Sequence, residues 1–200
     1  MDKVHTEIER KLTKAKKGQL FFLSDFRGIG SDGAVKMALS RLVADDKVKR
    51  IAHGIYVVPE TDPVLGVIMP SMESVVDAIA KKEHIRIKPA GAYALHKLGL
   101  TTQVPMRLVY LTDGALKQIK IGNTIIKFKP TTPKKLSLKG KLSSLIIQAL
   151  EELGTKNLDK QTIKRIKELL QKEDPKKLAN DIKLAPVQIS DFLFTLLKEN

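Results

Sequence analysis

The sequence predicts an α+β protein in three parts: an N-terminal unit of helices and a β-hairpin, a central small α+β domain with antiparallel strands, and a C-terminal helical segment. Apolar residues recur at helical spacing in the first 45 residues and again after residue 141. Short β-branched runs bounded by glycine lie between them. We therefore expect domains at residues 1–60, 61–138 and 139–200.

Charge is the strongest compositional signal. Lys and Arg number 36 against 22 Asp and Glu, which gives a formal net charge of +14. This excess favours an anionic partner, with nucleic acid the first choice. Aromatic residues make up only 4% of the chain and Trp is absent, which argues against a stacking platform for single strands. The absence of Cys excludes disulfides and thiolate metal sites.

Residues 1–17 are charged throughout and lack the apolar core of a signal peptide. No uninterrupted apolar run approaches the length that spans a bilayer. We therefore expect a cytoplasmic protein with no membrane partner.

The first 30 residues predict a helix, a strand and a turn. The helix has an apolar stripe and ends near Gly18. Leu20–Phe22 suggests a strand, and residues 24–27 can form one or two helical turns. Gly28 to Gly30 predicts a tight turn, because glycine tolerates positive φ. The stripe consists of Val4, Ile8, Leu12 and Ala15.

A second helix is predicted from Ser31 to about Asp45. Ser31 occupies the N-cap position, and Asp32 places a negative charge in the first turn, where it suits the helix dipole. One face is apolar and is expected to be buried. That face consists of Val35, Ala38, Leu39 and Leu42.

A β-hairpin is predicted after this helix. Residues 47–51 and 55–58 form the two arms, and His53-Gly54 forms the turn. The predicted order is a strand, a short helix, a turn, a capped helix and a basic hairpin. This is the order of elements in a winged helix-turn-helix, a small DNA-binding unit. The sequence therefore predicts that this unit binds DNA.

The polar face of the second helix is the candidate recognition surface, because it is weakly basic and free of acids beyond the first turn. Its N-terminal half would lie nearest the base edges of a major groove, and the hairpin would reach phosphates or the neighbouring minor groove. The alternative is an ordinary helix packed on a hairpin, with a solvated positive face. The candidate DNA-binding residues are Ser31, Gly33, Lys36, Met37, Ser40, Arg41, Lys49, Arg50 and His53.

The central region predicts alternating helices and strands. Thr61-Asp62-Pro63 indicates a break, and Val64 to Pro70 is expected to be a short apolar connector. Three short strands with tight turns predict an antiparallel meander. The predicted elements are a helix over 72–82, a strand over 85–87, a helix over 90–98 and strands over 107–112, 118–121 and 124–128.

Residues 127–141 carry six lysines and no acidic residue, with prolines that interrupt regular structure. This run is either a second contact for a polyanion or a solvated linker, and the composition favours the linker. Helical stripes follow to the end of the chain and are interpreted as core. Gly154 is expected to end the first of these helices, Asp159 to cap the second, and Pro175 and Pro186 to open the last two.

The sequence shows little that suggests catalysis, and we expect no enzyme, metal or cofactor. The four histidines are scattered, and no phosphate-binding loop or nucleophile elbow occurs. Asp113, followed by Gln118 and Lys120 on the next strand, weakly suggests a metal-dependent nuclease. The position of a second carboxylate ligand is occupied by glutamine, so the paired ligands of such a site are missing.

Two segments carry a resemblance to a known family. One is the predicted winged unit, especially residues 34–42, Lys49-Arg50-Ile51 and His53-Gly54-Ile55-Tyr56. The other starts at Pro89-Ala90-Gly91-Ala92-Tyr93-Ala94-Leu95-His96 and continues through Leu98-Gly99-Leu100 and Gln103-Val104-Pro105 to the strand at Arg107. In order and spacing, about two thirds of the chain resembles the AbiEi antitoxins of type IV toxin–antitoxin systems. The helices after Lys141 add little to the resemblance.

The resemblance implies two activities. The winged helix would bind double-stranded DNA at its own operator and repress the operon. The region after it would oppose a nucleotidyltransferase-like toxin, commonly without a stable antitoxin–toxin complex. A plain transcriptional regulator without a toxin, an RNA-binding module and the nuclease remain alternative functions.

Overall fold

The computed structural model describes residues 3–198, so the outer limits of the predicted terminal domains, at residues 1–2 and 199–200, lie outside the described residues. The chain divides into two compact units, one ending at Lys82 and the other beginning at Glu83. The boundaries predicted after residues 60 and 138 lie inside these units. Both units mix helices with sheets, so the α+β class is confirmed. Among the described residues, no helix is both long and apolar enough to cross a bilayer.

The first unit begins with a helix and a three-stranded antiparallel sheet of order β1-β3-β2. A two-stranded antiparallel sheet, β4-β5, follows. The elements are α1 (Lys3–Thr13), β1 (Leu20–Phe22), a 3-10 helix (Leu23–Phe26), α2 (Asp32–Ala44), β2 (Lys49–Ala52), β3 (Ile55–Val57), β4 (Glu60–Asp62), β5 (Gly66–Ile68) and α3 (Met72–Glu83).

The apolar stripes of α1 and α2 meet in one core, as their spacing predicts. Ile8 and Leu12 of α1 pack in this core with the predicted apolar face of α2. Phe21 and Phe26 contribute rings whose centroids lie 5.8 Å apart. Aromatic pairs at this distance add to the stabilisation from burial. The core therefore fixes α2 against the sheet through one face and leaves the opposite face exposed.

The turn before α2 depends on two glycines for different reasons. Gly28 has a φ of +84°, which an L side chain adopts only with strain. Gly30 has ordinary backbone angles, but a Cβ there would lie 2.6 Å from Cγ2 of Val4. The second glycine therefore allows the turn to approach α1 closely.

The predicted connector after Pro63 is wrong in part, because residues 66–68 pair with residues 60–62 as a hairpin. The Asp62 carboxylate accepts hydrogen bonds of 2.8 Å from the backbone N–H groups of Leu65 and Val64. These bonds lower the pKa of Asp62. The break predicted at Thr61-Asp62-Pro63 therefore lies at the start of the turn that closes this hairpin.

The second unit contains a four-stranded sheet followed by a group of helices. The sheet order is β6-β7-β9-β8, with β7 and β9 parallel and the other pairs antiparallel. The elements are β6 (Ile87–Ala90), α4 (Ala92–Leu98), β7 (Arg107–Thr112), β8 (Lys117–Ile121), β9 (Thr124–Pro130), α5 (Pro133–Leu136), α6 (Lys141–Leu153), α7 (Lys160–Leu170), α8 (Pro175–Leu184) and α9 (Val187–Lys198).

The predicted antiparallel meander is wrong, because β9 lies between β7 and β8. Ile126 and Phe128 of β9 are almost fully buried, whereas β8 alternates buried isoleucines with exposed polar side chains. The more apolar strand therefore takes the central position, and the strand with exposed lysines takes an edge, where charge discourages pairing with another chain. The four-residue connection from Thr112 to Lys117 is long enough to pass over one strand.

The strand predicted over residues 85–87 is observed as β6, which begins at Ile87, and the following helix begins at Ala92 instead of Ala90. Pro89 therefore lies inside a strand. β6 is an edge of the sheet, where a residue without an N–H group can be accommodated.

The interpretation of residues 127–141 as a solvated linker is wrong. Its first residues extend β9 to Pro130, and a short helix, α5, follows. Leu136, Leu138 and Gly140 are buried. The lysines of this segment therefore project from ordered elements.

The C-terminal helices form as predicted and share one core with α4. Ala94, Leu95 and Leu98 of α4 belong to the same buried cluster as residues from α6, α7, α8 and α9. The Asp159 carboxylate caps α7 by accepting a 2.8 Å bond from the backbone N–H of Thr162. Pro175 occupies the first turn of α8.

Two acidic side chains distant in sequence cap the start of α6. The buried carboxylate of Asp181 accepts hydrogen bonds from the backbone N–H groups of Lys139 and Gly140 at 2.7 and 2.8 Å. Glu173 accepts from the backbone N–H groups of Leu142 and Ser143 at 2.6 and 3.0 Å. Together they supply the acceptors that the first turn of a helix lacks.

Glu173→Gln is expected to flatten the acid limb of the stability curve. Burial acts to raise the pKa of Glu173, but hydrogen bonds from backbone N–H groups, that of Ser143 first, outweigh it and lower the pKa. A lowered pKa means that the ionised group stabilises the fold above about pH 4.3, and that this stability is lost on acidification. Urea unfolding between pH 7 and pH 3 tests this. A variant that loses stability with acid as steeply as wild type would contradict it.

Candidate nucleic-acid interface

The N-cap of α2 positions the candidate recognition face. The side-chain oxygen of Ser31 accepts a 3.3 Å hydrogen bond from the backbone N–H of Ala34, as the sequence predicts. Asp32 lies in the first turn. Ser31 is exposed, but its side chain is already engaged in the cap. Its oxygen therefore helps to define where the helix begins, while its O–H can still donate a hydrogen bond.

The predicted polar face of α2 is exposed as expected. Gly33, Lys36 and Ser40 are exposed, and Met37 retains 56% of its accessible surface. Lys36 forms no ion pair with any of residues 3–198. The Arg41 guanidinium lies 3.4 Å from the Met37 sulfur, one helical turn away. This contact holds the Arg41 side chain along the helix.

Two of the three candidate DNA-binding residues on the hairpin are exposed. Nη2 of Arg50 lies 3.0 Å from Nδ1 of His53, and both side chains are exposed. Since arginine can only donate, Nδ1 is the acceptor in this contact. Lys49 is half-buried and paired with Asp46. A phosphate would therefore have to compete with this carboxylate for Lys49.

Two other lysines of this unit, Lys47 and Lys82, are engaged in ion pairs within it. Lys47 pairs with Glu9, and their hydrogen bond lowers the pKa of Glu9 and raises that of Lys47. Lys82 pairs with Asp25. The positive charge of these residues therefore does not add to the exposed face of α2.

Asp113, the aspartate of the nuclease alternative, has a structural role that the sequence did not reveal. Its carboxylate accepts hydrogen bonds from the backbone N–H and Nε of Arg86, at 2.7 and 2.8 Å. The side-chain bond from Arg86 is the main cause of its lowered pKa. Within residues 3–198, no cluster of three or more His, Asp or Glu side chains could hold a metal ion.

Two cations on the sheet of the second unit, Arg107 and Lys120, were not predicted from the sequence to contact a polyanion. Both are exposed, and each is paired across the sheet with Ile125 of the central strand β9. Strand alternation could have placed them on one face with Lys127 and Lys129, but only the observed strand order makes them neighbours.

A family model matches residues 7–178, which is most of both units. The chain belongs to the DUF6088 family, a family of unknown function. No curated protein matches this DUF6088 chain.

Proposed function

We propose that this DUF6088 chain is a DNA-binding antitoxin and autorepressor of a type IV toxin–antitoxin operon, with a winged helix-turn-helix in its first unit. The observation that carries the proposal is the position of α2. Its apolar face is buried, its polar face is exposed, and the three-stranded sheet of the same unit exposes Arg50 and His53 on its hairpin.

In this proposal α2 enters the major groove, and its exposed side chains meet base edges. Lys36 would donate to a base or a phosphate, and Ser40 would donate or accept. Gly33 has nothing within 4 Å of the position of a Cβ, so the backbone there can approach DNA closely. Met37 would contact apolar groups such as a thymine methyl.

The hairpin would position the protein on the sugar–phosphate backbone. Arg50 and His53 are both exposed and available for phosphate contacts. Lys49 would contribute less, because its pairing with Asp46 offsets the gain. Such contacts fix the register on DNA without specifying its sequence.

The antitoxin activity is proposed from the resemblance to AbiEi proteins. The resembling segment from Pro89 to Arg107 covers half of β6, all of α4 and the first residue of β7. The proposed opponent is a nucleotidyltransferase-like toxin in the cytoplasm, opposed without a stable complex. No single residue is assigned to that activity.

The test uses the full chain with Lys36→Ala and Ser40→Ala together. We expect the operator upstream of its own gene to be bound about 1–3 kcal/mol more weakly, with binding to unrelated duplexes kept. A reporter under the native promoter should be derepressed, whereas rescue from the neighbouring toxin should persist. Lys176→Ala, an exposed lysine on α8, controls for the loss of one charge.

Wild-type operator affinity in the double variant would show that α2 is not the recognition helix. If wild-type protein binds its operator but does not rescue cells from a neighbouring nucleotidyltransferase, the antitoxin assignment fails and the plain transcriptional regulator replaces it. Equal affinity of wild-type protein for duplex RNA and for the operator would support an RNA-binding module.

A further inference from the structure

The second unit has a sheet face that no assigned function uses. Side chains of β7, β8 and β9 alternate strictly between the two sides of the sheet. One side is buried. It carries Leu108, Tyr110, Thr112, Ile119, Ile121, Ile126 and Phe128.

Among residues 3–198, the cover on the opposite side lies near β6. There Ala90 and Leu111 pack with Leu136 of α5 in a small buried cluster. Lys88 of β6 is half-buried, and its Nζ donates a 2.7 Å hydrogen bond to the carbonyl of Leu138. Beyond this cover, the side chains on β9 and β8 are exposed or half-exposed.

The uncovered part of this side forms a basic face, which we define as Arg107, Lys120, Lys127 and Lys129. Arg107, Lys120 and Lys129 are exposed, and Lys127 is half-buried. The strands β7, β8 and β9 contain no Asp or Glu. Within residues 3–198, no member of the basic face forms an ion pair, whereas Lys117 and Lys135 of the same unit pair with Glu83 and Glu151.

The register makes this face a compact array. Arg107 and Lys120 flank Ile125, so two strand spacings of about 4.8 Å separate their backbones. Lys127 lies about 6.6 Å beyond Ile125 on the same strand, and Lys129 lies about 6.6 Å beyond Lys127. Four like charges on rigid strands repel one another, and a partner with regularly repeated negative charge relieves that repulsion.

We propose that the basic face binds the phosphate backbone of duplex DNA, as a second contact in addition to that of the first unit. The inference rests on the proposed function in one respect, because it takes duplex DNA to be the ligand of this chain. The face carries no aromatic side chain on which unpaired bases could stack, which favours a duplex over a single strand. It is also rich in lysine, which the central parts of protein–protein interfaces lack.

Lys120→Gln with Lys129→Gln in the full chain tests this inference on a duplex without the operator. Removing one lysine–phosphate interaction should reduce the slope of log affinity against log salt by about 0.9, so we expect a fall of about 1.8 for the two substitutions. Both side chains are exposed, so the fold should be retained. The control is Lys176→Gln with Lys183→Gln, an equal charge change on exposed positions of α8, which should leave the slope unchanged.

An unchanged slope in the Lys120→Gln, Lys129→Gln variant, or an equal fall in the control, would overturn the inference. If the substitutions reduce the salt slope for duplex RNA and not for duplex DNA, the inference that this face binds DNA is overturned. Operator preference is measured separately with the Lys36→Ala, Ser40→Ala variant, so a failure of the proposed recognition helix is distinguishable from a failure of the basic face.

Discussion

Asp181→Ala is expected to destabilise the second unit by about 3 kcal/mol or more, because it leaves several buried donors without an acceptor. The Asp181 carboxylate is fully buried and accepts from the backbone N–H groups of Lys139 and Gly140. It also accepts a 2.6 Å bond from the hydroxyl of Ser143. Each unsatisfied buried donor costs about 1–3 kcal/mol, and alanine offers none of them a partner.

Urea unfolding of the full chain, followed by circular dichroism, measures this loss. Asp191→Ala is the matched control, because it removes an exposed carboxylate from α9 and should change stability by no more than about 0.5 kcal/mol. Equal unfolding midpoints for the two variants would show that the N–H groups find other acceptors.

Leu39→Ala is expected to destabilise the first unit by about 2–5 kcal/mol, the range for a buried leucine truncated in a core. Leu39 has no accessible surface and packs in the core that holds α2 against the sheet. The loss includes the transfer free energy of the removed carbons and the cavity that remains. Since small units have little stability to spare, DNA binding should fail together with folding.

Met37→Ala is the control for Leu39→Ala, because Met37 lies on the same helix and is 56% exposed. It should leave stability nearly unchanged, while removing any interaction of the Met37 side chain with DNA. Chemical denaturation with a probe of the first unit separates a loss of stability from a loss of DNA contacts. Folded Leu39→Ala protein of wild-type stability would show that the α2 core tolerates the cavity.

Local patterns in the sequence determined most of the secondary structure. Ser31 and Asp159 predicted helix starts, since a capping side chain acts within three residues of its own position. The spacing of Val35, Leu39 and Leu42 predicted which face of α2 is buried, because that periodicity follows from the helix itself. The candidate face of α2 was therefore accessible from sequence.

Tertiary structure alone decided the strand order and which charged side chains are paired and which are exposed. No local signal shows that β9 lies between β7 and β8, because that order depends on which strand buries the most apolar surface among all its neighbours. For the same reason, the pairing of Lys49 with Asp46 and the cap that Asp181 provides to α6 could not be predicted. The basic face exists because strands distant in sequence bring Arg107 and Lys120 to either side of Ile125, where their charges add.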